Sequence, residues 1–375
     1  MTPSSPQSRY GSRLYRICFG AVIALHLAVI WVPSYNGIVD LPYHLARAWA
    51  LYHYADVPFL QQLFILDLKP MPNLAIDLMV PPLLAVFPPI PAAKVFLSLL
   101  VLLFATGCHL VGEAFHGRPV WTAPAAACCV FNATFLFGFV NSVAGSAFFL
   151  LAFAVWMRFR DRWTLPRWTT FALLILAAYL SHLSGFVFTA MAIGIVHLRD
   201  LPARRPGWSD AAGWLAFLPA AAVHIYPWSN KVHMNGEILW APLRTKLIAF
   251  GSCLFAYQDW ASLLILLLAA AGLAIAFTRG GAGFRSLPAW LAIAFFAGCL
   301  LSPSQITSGG GSAAEARFTP PATVFLLLAI PALAPRGPQR FAVALLYAAM
   351  LFRLGNLGWN LMETSRAAEQ QIVAL

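Results

Sequence analysis

The sequence predicts an all-α fold, a polytopic transmembrane helical bundle of about 11 spans, from its composition, its long apolar runs and the positions of its basic residues. Of the 375 residues, 61% are hydrophobic and only 10% are charged, and the mean hydropathy is +0.75. A soluble domain is about half apolar and about a quarter charged. The apolar runs approach the roughly 20 residues that a helix needs to cross a bilayer, and they do not alternate as barrel strands do.

The basic residues predict the topology of this bundle. The formal net charge of +11 arises mainly from arginine-rich segments between apolar runs, which are typical of cytoplasmic loops beside anionic headgroups and do not indicate nucleic acid. The pattern therefore predicts that residues 1–375 form one multi-pass domain of the plasma (inner) membrane with a cytoplasmic N-terminus. Residues 17–33 are predicted to be an uncleaved signal anchor. Its predicted segments outside the spans are a cytoplasmic tail at 1–14, external segments at 34–72, 227–259 and 302–319, and an external tail at 358–375.

Several stretches differ from simple spans. The mixed aromatic and polar stretch 41–66, in the first external loop, predicts amphipathic helices in the membrane interface. Prolines interrupt 73–91, which predicts a kinked or re-entrant element, and the alternative is a span packed inside the protein. The alternation of basic and external segments favours an element that does not cross. The stretch 181–185 predicts a turn between two short helices. By contrast, residues 120–132 and residues 213–226 are each predicted to cross the membrane as one helix.

The stretch from Asp40 to Arg47 gathers an acid, an imidazole and a guanidinium directly after the first apolar run. Steps of four and three residues place Asp40, His44 and Arg47 on one helical face. Asp40 is a candidate general base toward an incoming hydroxyl, and the alternative is a helix N-cap, with which the catalytic role is compatible. His44 and Arg47 are candidates to orient that carboxylate or to bind phosphate; the alternatives for Arg47 are a salt bridge or interfacial snorkelling.

The polar residues other than the basic ones fall mostly on the predicted external side. Polar groups at the ends of membrane helices are usually paired or functional, so their convergence predicts a cavity there. The alternative is that external loops are simply polar. The set comprises Asp40, His44, Asn73, Asn132, Asn141, His182, His224, Asn230, His233, Glu237, Gln258, Asp259 and Glu315.

Arg317 is predicted to lie just outside a span that begins at Pro320, where its guanidinium could grip the phosphate of a membrane lipid. The alternative is an interfacial anchor paired with Glu315. Lys231 and Arg244 are weaker candidates for phosphate contact.

Three roles are open for His182: it could make a polar contact in a buried turn, act as a second base, or pack in the interior as a hydrogen-bonded histidine. A divalent metal held by histidines stays an open alternative, but no HxxxH or HExxH spacing supports it, and the cysteines show no zinc-type spacing. The sequence predicts no specific cofactor.

These features together resemble the GT-C superfamily of integral-membrane glycosyltransferases. The resemblance lies in an acid in the first external loop after a signal anchor, amphipathic segments, many spans and a late external arginine before prolines. It implies that Asp40 acts as base toward the acceptor, while basic external residues, with Arg317 as the match, hold the phosphate of a polyprenyl-phosphate-linked sugar donor. On this hypothesis His44 positions the acceptor, and Arg47 or Arg317 stabilises the phosphate leaving group. The predicted substrate- and phosphate-binding set is Arg47, His182, Lys231, Glu237, Glu315 and Arg317.

The expected partners are membrane lipids, the lipid-linked donor and a glycan, lipid or protein acceptor. The stretches 40–47, 72–77 and 137–141 also resemble uncharacterised bacterial multi-pass proteins. Two other functions stay open: a transporter or lipid flippase with broken helices, and a non-catalytic membrane subunit of envelope glycan assembly.

Overall fold

The computed structural model describes residues 6–67, 69–203, 207–228, 237–254, 263–265, 267–268, 286–306, 311–312, 314–330 and 338–373. This part of the chain is predominantly helical and has almost no strands, so the all-α prediction is confirmed. The helices are α1 (Pro6–Trp31), α2 (Leu41–Tyr52), α3 (Pro58–Leu63), α4 (Ala75–Leu84), α5 (Pro89–His116), α6 (Ala123–Ala127), α7 (Ala133–Leu136), α8 (Val140–Phe159), α9 (Leu165–Ser181), α10 (Leu183–Asp200), α11 (Trp208–Leu215), α12 (Leu218–Trp228), α13 (Leu243–Leu254), α14 (Leu287–Leu301), α15 (Ala314–Leu328) and α16 (Pro338–Val373).

Three strands of two residues each form a small antiparallel sheet. They are β1 (Ile238–Leu239), β2 (Gln305–Ile306) and β3 (Gly311–Ser312), in the order β1-β2-β3. Ile238 pairs with Ile306, which in turn pairs with Gly311. The sheet therefore joins two of the segments predicted to be external loops.

In the described part of the chain, four helices are long and apolar enough to cross a membrane: Arg13–Trp31 within α1, and α5, α8 and α10. These helices indicate a membrane protein. The prediction of about 11 spans is wrong for the described residues. Shorter apolar helices cover Ala75–Leu84, Ala123–Leu136, Leu165–Ser181 and Leu287–Leu301.

Two predicted spans are broken. The stretch 120–132 consists of α6, a 3-10 turn at Cys128–Val130 and the residues that lead into α7. The stretch 213–226 is divided between α11 and α12. The first break is stabilised by side chains, since Asn132 and Arg353 bond the backbone groups that it frees.

The proline-rich stretch 73–91 forms α4, which contains Pro81 and Pro82, followed by the start of α5. With 10 residues, α4 rises about 15 Å, half of a bilayer's hydrocarbon core. Its length therefore agrees with an element that enters the bundle without crossing.

The turn predicted at 181–185 is confirmed. His182 has extended backbone angles (φ −167°, ψ 139°), ends α9 and precedes α10. Glycines allow α10 to pack closely on α8, because a Cβ added to Gly185 would lie 2.5 Å from the carbonyl oxygen of Gly145. The break at His182 thus lies against the N-terminal half of α8.

Two predicted external segments are more helical than expected. The predicted loop 302–319 contains β2 and β3 and then enters α15 at Ala314, so Glu315 and Arg317 are helical and Pro320 and Pro321 lie inside the helix. An acid in the first turn favours this earlier start. The predicted tail 358–375 continues α16 to Val373, and Ser365 accepts a hydrogen bond from the backbone of Tyr35 through Oγ (3.0 Å).

Aromatic side chains fill the core between α8, α14 and α15. The ring of Phe149 lies 5.6 Å from that of Phe295 and 6.1 Å from that of Phe325. All three side chains are fully buried. This packing fixes the start of α15, and with it Arg317, relative to α8.

Candidate functional site

Asp40 occupies the N-cap position of α2, but its side chain makes no capping hydrogen bond. Its backbone N–H donates to the carbonyl of Phe137 (3.1 Å), and its own carbonyl accepts from the N–H of His44 (3.0 Å). Gly138, with φ +94°, allows the close approach, since an added Cβ would lie 2.6 Å from the Cβ of Asp40. The backbone of Asp40 is thus fixed, while its half-buried carboxylate does not accept a hydrogen bond from the first turn of α2.

His44 lies one turn further along α2 and is half-buried. Its Nδ1 is buried and has no hydrogen-bond partner within the described chain. Burial, followed by the charge of Arg47, lowers the pKa of His44, while Asp40, Asp77 and the Gly138 backbone act in the opposite direction. The imidazole is therefore neutral near pH 7, beside a carboxylate.

Arg47 forms a two-point ion pair with Asp77 of α4. Its Nε donates to Oδ1 at 2.8 Å and its Nη2 donates to Oδ2 at 2.7 Å. This is the salt bridge that the sequence left open as the alternative to phosphate binding. The guanidinium therefore links the middle of α2 to α4 and helps to hold in place the helix that begins after Asp40 and carries His44.

Asn141 joins three elements beneath this site. Its Oδ1 accepts from the N–H of Ile76 (3.0 Å), and its Nδ2 donates to the carbonyl of Asn73 (2.9 Å). The N–H of Asn73 donates in turn to the carbonyl of Ser181 (3.2 Å), next to His182. Asn73 has a φ of 75°, which asparagine tolerates better than most residues. The start of α4, the start of α8 and the α9–α10 break thus meet at one point.

Asn132 shapes the other edge of the site. Its Oδ1 accepts from the N–H groups of Thr134 (2.9 Å) and Phe135 (3.2 Å) and so caps α7, while its Nδ2 donates to the carbonyl of Cys129 (2.8 Å). The short α7 that it starts ends at Leu136, just before the carbonyl that holds Asp40. Asn132 therefore positions the segment against which Asp40 rests.

Arg317 projects from α15 to the same segment. Its guanidinium carbon lies 5.4 Å from the centroid of the Phe139 ring, within the range of a cation–π contact. Its Nε is buried without a hydrogen-bond partner in the part of the chain that the structure describes. It borders a small cleft with room for little more than one water molecule. The cleft is lined by Phe104, Asn132, Thr134, Ser142, Val143, Ser146, Arg317 and Pro320.

His182 lies at the α9–α10 break, within electrostatic reach of Arg317. Its Nδ1 is bonded by the backbone N–H of Ser184 (3.0 Å) and lies 2.8 Å from the hydroxyl of the same residue. Burial, followed by the charge of Arg317, lowers the pKa of His182 to about 3. The imidazole of His182 is therefore neutral and interacts electrostatically with the Arg317 guanidinium.

No protein-family model matches the chain, and a search of curated proteins found no match. The comparisons give no support to the GT-C resemblance, which stays a prediction. The geometry of the site is therefore the basis for any functional proposal.

The structure places four of the predicted site residues along residues 132–146 and connects a fifth, Arg47, to them through α4. Asp40 contacts this segment at Phe137 and Gly138, His44 follows Asp40 on α2, and Arg317 contacts it at Phe139. His182 packs on Gly145, whose added Cβ would lie 3.2 Å from that of His182. Arg47 supports this group through Asp77, one helical turn beyond His44.

The other predicted residues are placed differently. Glu315 is buried in α15, and its Oε2 has no hydrogen-bond partner among the described residues. Glu237 is exposed directly before β1 and takes part in none of the contacts above. Lys231 lies outside the described residues. The structure also shows no group of three or more histidine, cysteine or acidic side chains, among the residues described, that could hold a metal ion.

Sequence reasoning missed Arg353, a buried arginine of α16. Its Nη1 donates to the carbonyl of Cys128 (2.9 Å), and its Nη2 donates to that of Phe131. Both carbonyls belong to the break between α6 and α7, directly before Asn132. A cation inside the otherwise apolar run 341–354 was the signal available in the sequence, since such charges are rarely tolerated without partners.

Proposed function

We propose that this protein is a GT-C-like glycosyltransferase that moves a sugar from a lipid-phosphate donor to an acceptor hydroxyl at the external face of the plasma (inner) membrane. One observation supports the proposal: the Asp40 carboxylate, which makes no capping hydrogen bond, and the Arg317 guanidinium, whose buried Nε has no hydrogen-bond partner among the described residues, border one short segment. Asp40 is bonded to Phe137, and Arg317 lies over Phe139. A base and a cation on either side of a reacting centre suit group transfer from a phosphate.

In this reaction the Asp40 carboxylate takes the proton from the acceptor hydroxyl. The acceptor oxygen forms a bond to the anomeric carbon of the sugar, and the bond between that carbon and the phosphate oxygen breaks. The electron pair leaves with the phosphate, whose charge the Arg317 guanidinium stabilises. The neutral His44 positions the acceptor beside Asp40.

Arg47 contributes by holding α2 in place. Two of its donors already bond Asp77, so the geometry favours a positioning role over direct contact with the phosphate. The membrane placement follows the basic segments: a multi-pass chain with its N-terminus in the cytoplasm and the α1–α2 junction, which carries Asp40, outside.

The test is transfer of sugar from polyprenyl-phosphate sugars by the purified full chain in lipid nanodiscs, read by mass spectrometry of the acceptor. Asp40→Asn keeps the shape of the side chain and removes its basicity, so we expect a loss of about 100-fold or more. Asp56→Asn is the matched control, because Asp56 is an exposed carboxylate of the same predicted external segment. Unchanged transfer by Asp40→Asn, or no transfer by the parent chain with any donor, would contradict the proposal.

A further inference from the structure

We infer that the C-terminal helix α16 positions Asp40 for the reaction, and that Ser365 of this helix is a positioning residue for the candidate base. The catalytic part of this inference rests on the proposed function, whereas the effect of α16 on the backbone of Asp40 is measured separately. The inference assigns a role to a segment that the sequence predicted only as an external tail.

The backbone that carries Asp40 is bonded to the end of α7 and the residue that follows it. The N–H of Val39 donates to the carbonyl of Leu136 (2.9 Å). The N–H of Asp40 donates to the carbonyl of Phe137 (3.1 Å). The segments that lead into this pairing from either side therefore determine where the Asp40 carboxylate lies.

α16 contacts the segment that leads into Asp40. The backbone N–H of Tyr35 donates to Oγ of Ser365 (3.0 Å), whose side chain is buried. The preceding residue of α16, Thr364, lies against Gly37, where an added Cβ would lie 2.8 Å from the threonine Cγ2. The chain directly before Asp40 thus rests on α16.

α16 also contacts the segment that leads into the acceptor of the Asp40 N–H. Arg353 lies about three helical turns before Ser365 and bonds two carbonyls of the break between α6 and α7. This break leads through Asn132 into α7, which ends just before Phe137. One helix therefore holds both backbone segments that meet at Asp40.

Leucine side chains fix the rotation of α16 about its axis. Leu354, Leu357 and Leu361 are almost completely buried. They are three and four residues apart, and Ser365 continues the series by four, so all four side chains share one helical face. The Ser365 hydroxyl is therefore presented by the packed face of the helix.

Three variants of Ser365 isolate the hydrogen bond to Tyr35. Ser365→Ala removes the hydroxyl and adds no bulk. Ser365→Thr and Ser365→Val have nearly the same shape and differ in whether they carry a hydroxyl, so any overpacking is common to both. Ser304→Ala is the matched control, because Oγ of Ser304 accepts from the backbone N–H of Ala241 (3.1 Å) beside the small β-sheet.

The structural readout is amide hydrogen exchange of the full chain in phosphatidylcholine nanodiscs, measured by mass spectrometry of peptides that cover residues 35–44 and 133–140. We expect both peptides to exchange about fivefold faster or more in Ser365→Ala, while α10 exchanges as in the parent. Ser365→Thr should exchange more slowly than Ser365→Val. Ser304→Ala should match the parent in both peptides.

The catalytic readout is steady-state sugar transfer. We expect kcat to fall by about tenfold in Ser365→Ala while the KM values for donor and acceptor stay within about threefold, because a displaced base weakens the chemical step and not substrate binding. Ser365→Thr should keep more of kcat than Ser365→Val. A general loss of folded protein would instead lower the activity of these two variants equally.

Three results would overturn the inference: exchange like that of the parent at residues 35–44 in Ser365→Ala, equal behaviour of Ser365→Thr and Ser365→Val, or faster exchange with unchanged transfer. Failure of the proposed function gives a different pattern. Faster exchange in Ser365→Ala, with no transfer by the parent, leaves the attachment of the Asp40 backbone to α16 and removes the transferase. Transfer that depends on Asp40, with exchange and kcat unchanged in Ser365→Ala, does the reverse.

Discussion

Gly138 and Asp40 approach each other so closely that a Cβ added to Gly138 would lie 2.6 Å from the Cβ of Asp40 and 2.7 Å from its backbone nitrogen. Gly138 also has a φ of +94°, which disfavours any side chain there. The candidate base is therefore held by a position that only glycine fills without strain.

Gly138→Ala should destabilise the protein by about 1–3 kcal/mol and reduce sugar transfer, because the clash displaces Asp40. The measurements are thermal unfolding and the transfer assay. Gly117→Ala is the control: Gly117 has a φ of +66°, and nothing lies within 4 Å of an added Cβ, so it should lose about 1–2 kcal/mol without loss of transfer. Equal effects of the two variants would show that the contact with Asp40 has no consequence.

Removal of the Arg47–Asp77 pair should loosen α2 from α4. Arg47→Ala should cost about 1 kcal/mol, since the side chains are 40% and 13% exposed and the geometry is bidentate. A double-mutant cycle with Asp77→Ala measures the coupling free energy. As a control, Arg366→Ala should have almost no effect, because the Arg366–Glu363 side chains are 60% and 52% exposed. Zero coupling between Arg47 and Asp77 would argue for another role of Arg47, such as direct phosphate contact.

The stability of the protein should fall as the pH is lowered below 6.5. Burial and Arg317 lower the pKa of His182 from 6.5 to about 3, so between these values the unfolded chain takes up a proton that the folded chain does not. The slope from this group is at most about 1.4 kcal/mol per pH unit. Thermal unfolding between pH 7 and pH 5 measures it, and His182→Asn should be less sensitive to pH than the parent. Identical pH dependence would show that His182 is not the titrating group.

Arg353→Met should destabilise the break between α6 and α7 by about 2–4 kcal/mol, because two buried carbonyls lose their donors. Arg366→Met is the matched control, since it removes an arginine from an exposed position of the same helix. Unfolding temperature and limited proteolysis report the change. A fully stable Arg353→Met protein would mean that water or other groups satisfy the carbonyls of Cys128 and Phe131.

Local signals predicted part of this fold well. The Ser-His-Leu-Ser-Gly stretch marked the α9–α10 break, and the prolines of 73–91 marked the short α4. In both cases the residues that disrupt a helix lie at the disruption itself. The position of Asp40 before Leu41 and Pro42 likewise predicted the start of α2.

The errors arose where distant residues decide the structure. The run 120–132 is apolar enough for a span, but Arg353, more than 200 residues later, bonds the carbonyls that stabilise its break. Arg317 was expected in a loop because Pro320 and Pro321 can begin a helix, whereas the core packing of Phe325 on Phe149 and the acid at Glu315 accompany an earlier start at Ala314. The sequence did not indicate the partner of Arg47 either, since Asp77 is 30 residues away along the chain.

His182 has a consequence for the natural variation that this chain can tolerate. One side chain ends a helix, starts the next one and interacts electrostatically with Arg317, so a substitution there affects the helix break and the local charge balance together. Homologous proteins that keep Arg317 should therefore show a very narrow choice of residues at this position, and a change from histidine should be accompanied by a change at Arg317 or at the glycines that hold α10 against α8.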